Sequence, residues 1–183
     1  MRILTLFFLL FSTCFLACED DPCEDVACQN GGICQNGSCV CPDGYGGDDC
    51  AVALNPKTIT IAVIRAERWP TNRADGTAWD GDGTAPDPVV VVTGPTGEVL
   101  GSTAVQNDAA PPASFSTAIL ITDPGEQTFS VTLYDDDVTE RDSIGTYSWS
   151  ASAYAKQTDF NNSVILDDPA QSTAFFLSVI YGF

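Results

Sequence analysis

Residues 126–145 read Glu-Gln-Thr-Phe-Ser-Val-Thr-Leu-Tyr-Asp-Asp-Asp-Val-Thr-Glu-Arg-Asp-Ser-Ile-Gly. The first half alternates: Phe129, Val131 and Leu133 fall on one side of an extended chain, and Thr128, Ser130 and Thr132 on the other. A period of two, carried by aromatic and β-branched residues, predicts a half-buried strand over Glu126 to Tyr134. Asp135, Asp136, Asp137, Glu140 and Asp142 follow, with Arg141 among them, before Ile144 reopens the apolar pattern. The stretch is strand, acidic turn, strand.

Working outward, the same signal recurs. Thr58 to Ile64 predicts a strand with Ile59, Ile61 and Val63 on one face. Val89 to Thr93 is a β-branched run between Pro88 and Gly94-Pro95, and Glu98 to Ala104 and Ser116 to Ile121 follow. Ile144 to Ala153, Ser163 to Leu166 and Ser172 to Tyr181 complete the set. About eight short strands with turns rich in Gly, Pro and Asp, and no convincing helix, predict an all-β fold, an antiparallel eight-stranded β-sandwich.

A second acidic loop follows the first strand: Asp75, then Asp80-Gly81-Asp82-Gly83-Thr84-Ala85-Pro86-Asp87-Pro88. In an up-and-down antiparallel order, the connections after strands one, three and five emerge at one end. Parity thus brings the two acidic loops together, with Asn107-Asp108 of the third connection nearby. Carboxylates so clustered repel unless a cation sits among them. Hard oxygen ligands, without His or Cys in these loops, select Ca2+ over zinc or copper.

Composition narrows the function classes. Asp and Glu number 25 against 7 Lys and Arg, a net charge of −18, which excludes nucleic acid as partner. The absence of histidine removes most general-base, triad and transition-metal chemistry. A paired-carboxylate hydrolase would need an acid in an apolar pocket, whereas these acids crowd into polar loops.

The N-terminus reads as a processing signal over residues 1–17: Arg2, then fifteen nearly unbroken apolar residues from Ile3 to Ala17. Phe15-Leu16-Ala17-Cys18 resembles a bacterial lipobox, which implies lipid modification of Cys18. Ordinary signal-peptidase cleavage before Cys18 fits less well, because it wants a small residue where Phe15 stands. Glu19-Asp20-Asp21 resembles the acidic surface-export signal of Bacteroidota lipoproteins, so residues 18–22 read as a lipidated acidic linker.

Of the eight cysteines, Cys14 and Cys18 fall to the signal and the lipid, and Cys23, Cys28, Cys34, Cys39, Cys41 and Cys50 remain. Residues 23–50 cannot bury a core that holds them folded, so disulfides must do it. Six cysteines allow fifteen pairings, and spacing alone does not choose among them. With Cys39-Val40-Cys41-Pro42 and Gly44-Tyr45-x-Gly47-x-x-Cys50, the pattern resembles an EGF-like module of the short tenascin type. That resemblance implies Cys23–Cys34, Cys28–Cys39 and Cys41–Cys50. Residues 51–183 then form the sandwich.

Three stretches of the sandwich resemble the C-two (C2) domain, a calcium- and phospholipid-binding module. They are Asp87-Pro88-Val89-Val90-Val91; Ser102-Thr103 through Asn107, Pro111-Pro112 and Phe115; and Val131-x-Leu133-Tyr134-Asp135-x-Asp137 with Asp142-x-Ile144-Gly145. The resemblance implies Asp87, Asp135, Asp137 and Asp142 as ligands, with Asp80 or Asp82 supplying a fifth. The third loop is one residue shorter than the family pattern, and the C-terminal last strand implies a permuted strand order found in part of the family. The expected protein is a non-enzymatic, exported lipoprotein at the outer membrane or cell surface. It binds Ca2+ and, through it, an anionic ligand such as a phospholipid; Trp79 and Val138 lie in the tip loops, although Trp79, like Trp69, reads more simply as an ordinary partly buried aromatic. The alternative is an adhesive sandwich with a structural calcium that binds a glycan or a protein.

Lipidation is directly testable: the mature chain should begin at an acylated Cys18 and partition into detergent, and Cys18→Ser should move it to the aqueous phase. An unacylated N-terminus by mass spectrometry would sink that reading.

Overall fold

The computed structural model describes residues 21–137 and 141–183. The expected signal peptide, the Cys18 expected to carry lipid and loop residues Val138 to Glu140 lie outside the described residues. Those residues divide into two compact units, residues 21–42 with Gly46–Ala51, and Asp43–Tyr45 with Val52–Phe183.

The first unit is held by Cys23–Cys34, Cys28–Cys39 and Cys41–Cys50, the pairing that the EGF resemblance implies. Its hairpin joins β1 (Ile33–Gln35) to β2 (Ser38–Val40) through Asn36-Gly37. Both turn residues have positive φ, 50° and 82°, which Asn and Gly tolerate best in a two-residue turn. The two-residue strands β3 (Tyr45–Gly46) and β4 (Val52–Ala53) follow.

The sandwich strands are β5 (Thr58–Arg68), β6 (Pro88–Thr93), β7 (Val99–Ser102), β8 (Ala113–Thr122), β9 (Thr128–Asp136), β10 (Arg141–Ser150), β11 (Ser163–Asp167) and β12 (Ala174–Gly182). They form two four-stranded sheets, β10-β9-β6-β7 and β11-β12-β5-β8. The order is not the expected up-and-down one, because β5 and β6 lie in different sheets. Every pairing within the two sheets is nevertheless antiparallel, so the parity argument survives. The connections after β5, β7 and β9 share one end. Thr58 pairs with Gly182, so the sandwich begins and ends at the opposite pole.

Inner faces of the two sheets meet in one core that includes Ile59, Ile61, Ile64, Val90, Val92, Phe115, Phe129, Val131, Leu133 and Leu177. On β5 the expected Ile59, Ile61, Val63 face breaks. A bulge between Ile61 and Val63 turns Ile64 and Ala66 inward and leaves Val63 half-buried. Gly145, which follows the bulge in β10, faces Thr173 so closely that a Cβ there would lie 2.3 Å from Thr173 Cγ2. Only glycine fits.

The strand expected to run to Ala153 stops at Ser150, and α1 (Ala151–Gln157) replaces its end. Ser150 pairs with Thr128, the first residue of β9, so Ala151 has no partner to continue the ladder. Ala-Ser-Ala-Tyr-Ala-Lys-Gln has good helix propensity, and the turn buries Ala151, Ser152 and Ala155.

Reduction of the full chain should unfold residues 23–50 while the sandwich, which has no cysteine, keeps its own melting transition. Each bridge should contribute roughly 2–5 kcal/mol to its small unit. Loss of the sandwich transition on reduction would contradict the division.

Candidate functional site

β9 builds the centre of the site. Its inward alternation runs Phe129, Val131, Leu133 and then continues into Asp135, so the apolar stripe of the core ends in a carboxylate. Asp137 has the same parity. Asp136 points the other way and is taken by Arg141, which stands opposite it in the ladder with an N···O distance of 2.5 Å. Asp135 pairs with Pro88 of β6 on one side and with Asp142 of β10 on the other. Flanked in this way, it is 0 % exposed.

Its Oδ1 accepts the Asp87 N–H at 2.7 Å, whereas its Oδ2 is buried with no partner among the described residues. Burial pushes the Asp135 carboxyl up, the Asp87 N–H offsets part of this, and the Asp137 and Asp87 charges push further. An unpaired buried carboxylate oxygen costs free energy that a cation would recover.

The other connections converge on it. The β5–β6 loop turns at Asp80, where Gly83 N–H donates to Asp80 O. Within that turn Asp82 Oδ1 accepts the Thr84 N–H at 3.1 Å and the Thr84 hydroxyl at 2.7 Å. Those bonds, the hydroxyl foremost, hold the Asp82 carboxyl below its ordinary range. Asp80 is the opposite: burial first, then the neighbouring Asp137 carboxyl and the charge of Asp135, raise it to about 6. The β7–β8 connection is pinned by Thr103, whose N–H donates to Val90 O and whose Oγ1 accepts the Val90 N–H. Farther along, the Asp108 N–H donates to Asp87 Oδ1 at 2.8 Å.

Two carboxylate triads result, Asp80–Asp87–Asp108 and Asp80–Asp135–Asp137, each with ligand oxygens within 4.8 Å of one another. They share Asp80. Of the residues expected from sequence, the structure brings together Asp80, Asp87, Asp135 and Asp137. Asp82 lines the same open cleft of about 310 Å³ but belongs to neither triad. Asp142 also stands outside both triads, its Oδ2 bound by Arg73. Asp108, read in the sequence only as a neighbour, joins a triad, and its φ of 52° lies in the region that Asp and Asn tolerate. Trp79 of the tip loop is buried at 8 % exposure, as the reading of an ordinary buried aromatic has it, and donates its indole N–H to Pro70 O at 2.9 Å. The raised carboxyls arise from burial and mutual repulsion within an acidic cluster, not from an apolar pocket.

A family model for the C2 domain matches residues 57–166. Among solved structures, one described as a C2 domain aligns with TM-score 0.50 and 11 % identity over 69 % of this chain and 98 % of its own. Human GIVD cytosolic phospholipase A2 aligns with TM-score 0.52 and 16 % identity over 72 % of this chain, which spans only 17 % of that enzyme's length. At these identities the likeness is one of fold. No curated protein matches the sequence.

The Asp80 carboxyl, raised from 3.8 to about 6, keeps in the folded chain a proton that the unfolded chain has already released. Its contribution is therefore fully present below the unfolded value and is lost as pH rises through about 6. With chelator present, the melting temperature of the wild type relative to Asp80→Asn should fall across that window. A difference that does not change with pH would count against the raised Asp80 carboxyl.

Proposed function

Because the chain belongs to the C2 domain family, whose members are binding modules, we propose that its acidic tip binds Ca2+ and bridges it to an anionic ligand. The observation that carries this reading is Asp135 Oδ2, fully buried, without a hydrogen-bond partner among the described residues and beside Asp80 and Asp137. Ca2+ takes about six to eight oxygens in flexible geometry, and the two triads with nearby loop carbonyls offer that kind of shell. The ion would supply charge neutralisation and open positions for a phosphate oxygen. The chain's own residues do the rest: β9 and β6 hold Asp135 and Asp87 in register, while the Asp80 turn and the Asp108 connection close over them.

Phospholipid is the ligand class favoured by the family. The net charge of −18 would repel an anionic surface were no cation bound, so attraction has to pass through the ion. The chain works as a non-enzymatic binding module. It is exported, carried on a lipid at Cys18 and spaced from the membrane by an EGF-like unit; the lipobox-like Phe15-Leu16-Ala17-Cys18 and the three disulfides support this.

Binding to the folded state alone adds about 2.7 kcal/mol at a hundredfold excess over Kd, so the sandwich should melt several degrees higher in millimolar Ca2+. Mg2+, which demands tighter octahedral geometry, should substitute poorly. Asp135→Asn and Asp137→Asn should each remove most of the increment. Asp123→Asn, exposed at the opposite pole beside Lys57, should keep it. Vesicles with and without phosphatidylserine, each in Ca2+ and in chelator, test the ligand class. Equal melting in Ca2+ and chelator would mean that the loops are only solvated.

A further inference from the structure

Asp142 stands directly across the ladder from Asp135, yet it faces a different partner from the rest of the cluster. Arg73 Nη1 donates to Asp142 Oδ2 at 2.5 Å, with the two side chains 34 % and 35 % exposed. Arg73 is aimed by more than this carboxylate. It lies at the start of a small turn in which its own N–H donates to Thr77 O, and Asn72 bridges Ala78. Its Nη2 donates to Trp79 O at 2.8 Å, its Nε to Ala78 O at 3.4 Å, and its Cζ lies 5.0 Å from the centroid of the Trp79 ring. Trp79 is in turn buried and tied to Pro70 O. A rigid, always-charged fork is thus fixed on an aromatic face at the rim of the carboxylate cluster.

We infer that Arg73 is a built-in cation that fills the Asp142 side of the tip and excludes a metal ion from the position between Asp135, Asp137 and Asp142. Metal binding is thereby confined to the Asp80 side, where both triads lie. The inference rests on the cation reading of that side. Three observations carry it. Asp142, placed by register to share an ion with Asp135, has its Oδ2 taken by the guanidinium. The guanidinium feels the Asp135 and Asp137 carboxylates as well as Asp142, so a divalent ion on that side would meet a positive charge already in place. Backbone acceptors and the Trp79 face hold Arg73 independently of Asp142, so the guanidinium is not free to swing away when an ion approaches.

The test is calorimetric titration of Ca2+ into the full chain, comparing wild type, Arg73→Gln and Arg73→Gln with Asp142→Asn. Arg73→Gln should bind one more ion per chain than wild type, and adding Asp142→Asn should remove that extra ion. Equal stoichiometry in wild type and Arg73→Gln, including none in both, overturns the inference. Absence of binding in the wild type alone overturns the reading of the Asp80 side, so the two failures are separable. Should Arg73→Gln fail to show the wild-type far-UV spectrum, the single variant Asp142→Asn decides. With Asp142 outside the ion's shell, its affinity for Ca2+ should stay within about threefold of wild type at physiological salt, where screening limits the loss of one nearby charge. A tenfold or greater loss would place Asp142 on the ion and overturn the inference.

Discussion

The pairing of β9 with β6 on one edge and β10 on the other is the constraint from which the rest of the tip follows. It sets Asp135 between Pro88 and Asp142, two residues beyond Leu133 on the core face of the same strand. Because side chains alternate at a period of two, a slip of one residue would carry Asp136 inward and Asp135 out to Arg141. The apolar contacts of Phe129, Val131 and Leu133 therefore fix the register that presents the carboxylates. Core and site are read out by one strand.

The arrangement works against itself when no ion is bound. Asp80, Asp87, Asp108, Asp135 and Asp137 are held close by backbone geometry, and burial raises the cost of charging Asp135 and Asp80. The β5–β6 and β7–β8 connections are accordingly braced locally: Thr84 serves the Asp82 turn, Thr77 the Asp75 turn, and Thr103 the β7–β8 connection. Such short-range bonds let the loops stay in place while their carboxylates repel. Tip repulsion is the kind of local instability that a ligand site tolerates when the surrounding sheets are well packed.

Much of this was legible in the sequence, for physical reasons that can be named. Alternation at Phe129, Val131 and Leu133 is a direct record of a half-buried strand, and chain parity needs only that strands reverse direction. Both therefore survived a sheet order that differs from the one expected. What stayed hidden depends on bonds between residues that composition does not order. Asp80 and Asp82 look equivalent until Thr84 is seen to give Asp82 both its N–H and a 2.7 Å hydroxyl contact, while Asp80 receives only a longer hydroxyl contact of 3.2 Å. The bulge at Ile61–Val63 leaves no mark on an apolar run. The stop of β10 is set by where β9 begins, not by its own residues. Arg73 carries no sequence signal, because a lone arginine in a loop is ordinary until Trp79 and Asp142 are found beneath and beside it.

β5 lies between β12 and β8 with its first residue at one pole and its last at the foot of the acidic loop. In mechanical terms, a pull between the start of β5 and the tip runs along the strand axis. Hydrogen bonds to both neighbours lie across that axis and resist in shear, all loaded together. A pull between Thr58 and Gly182, which pair at the same pole, would instead open β5 from β12 one rung at a time like a zipper. A load applied between the start of the sandwich and its tip therefore falls along its strong direction.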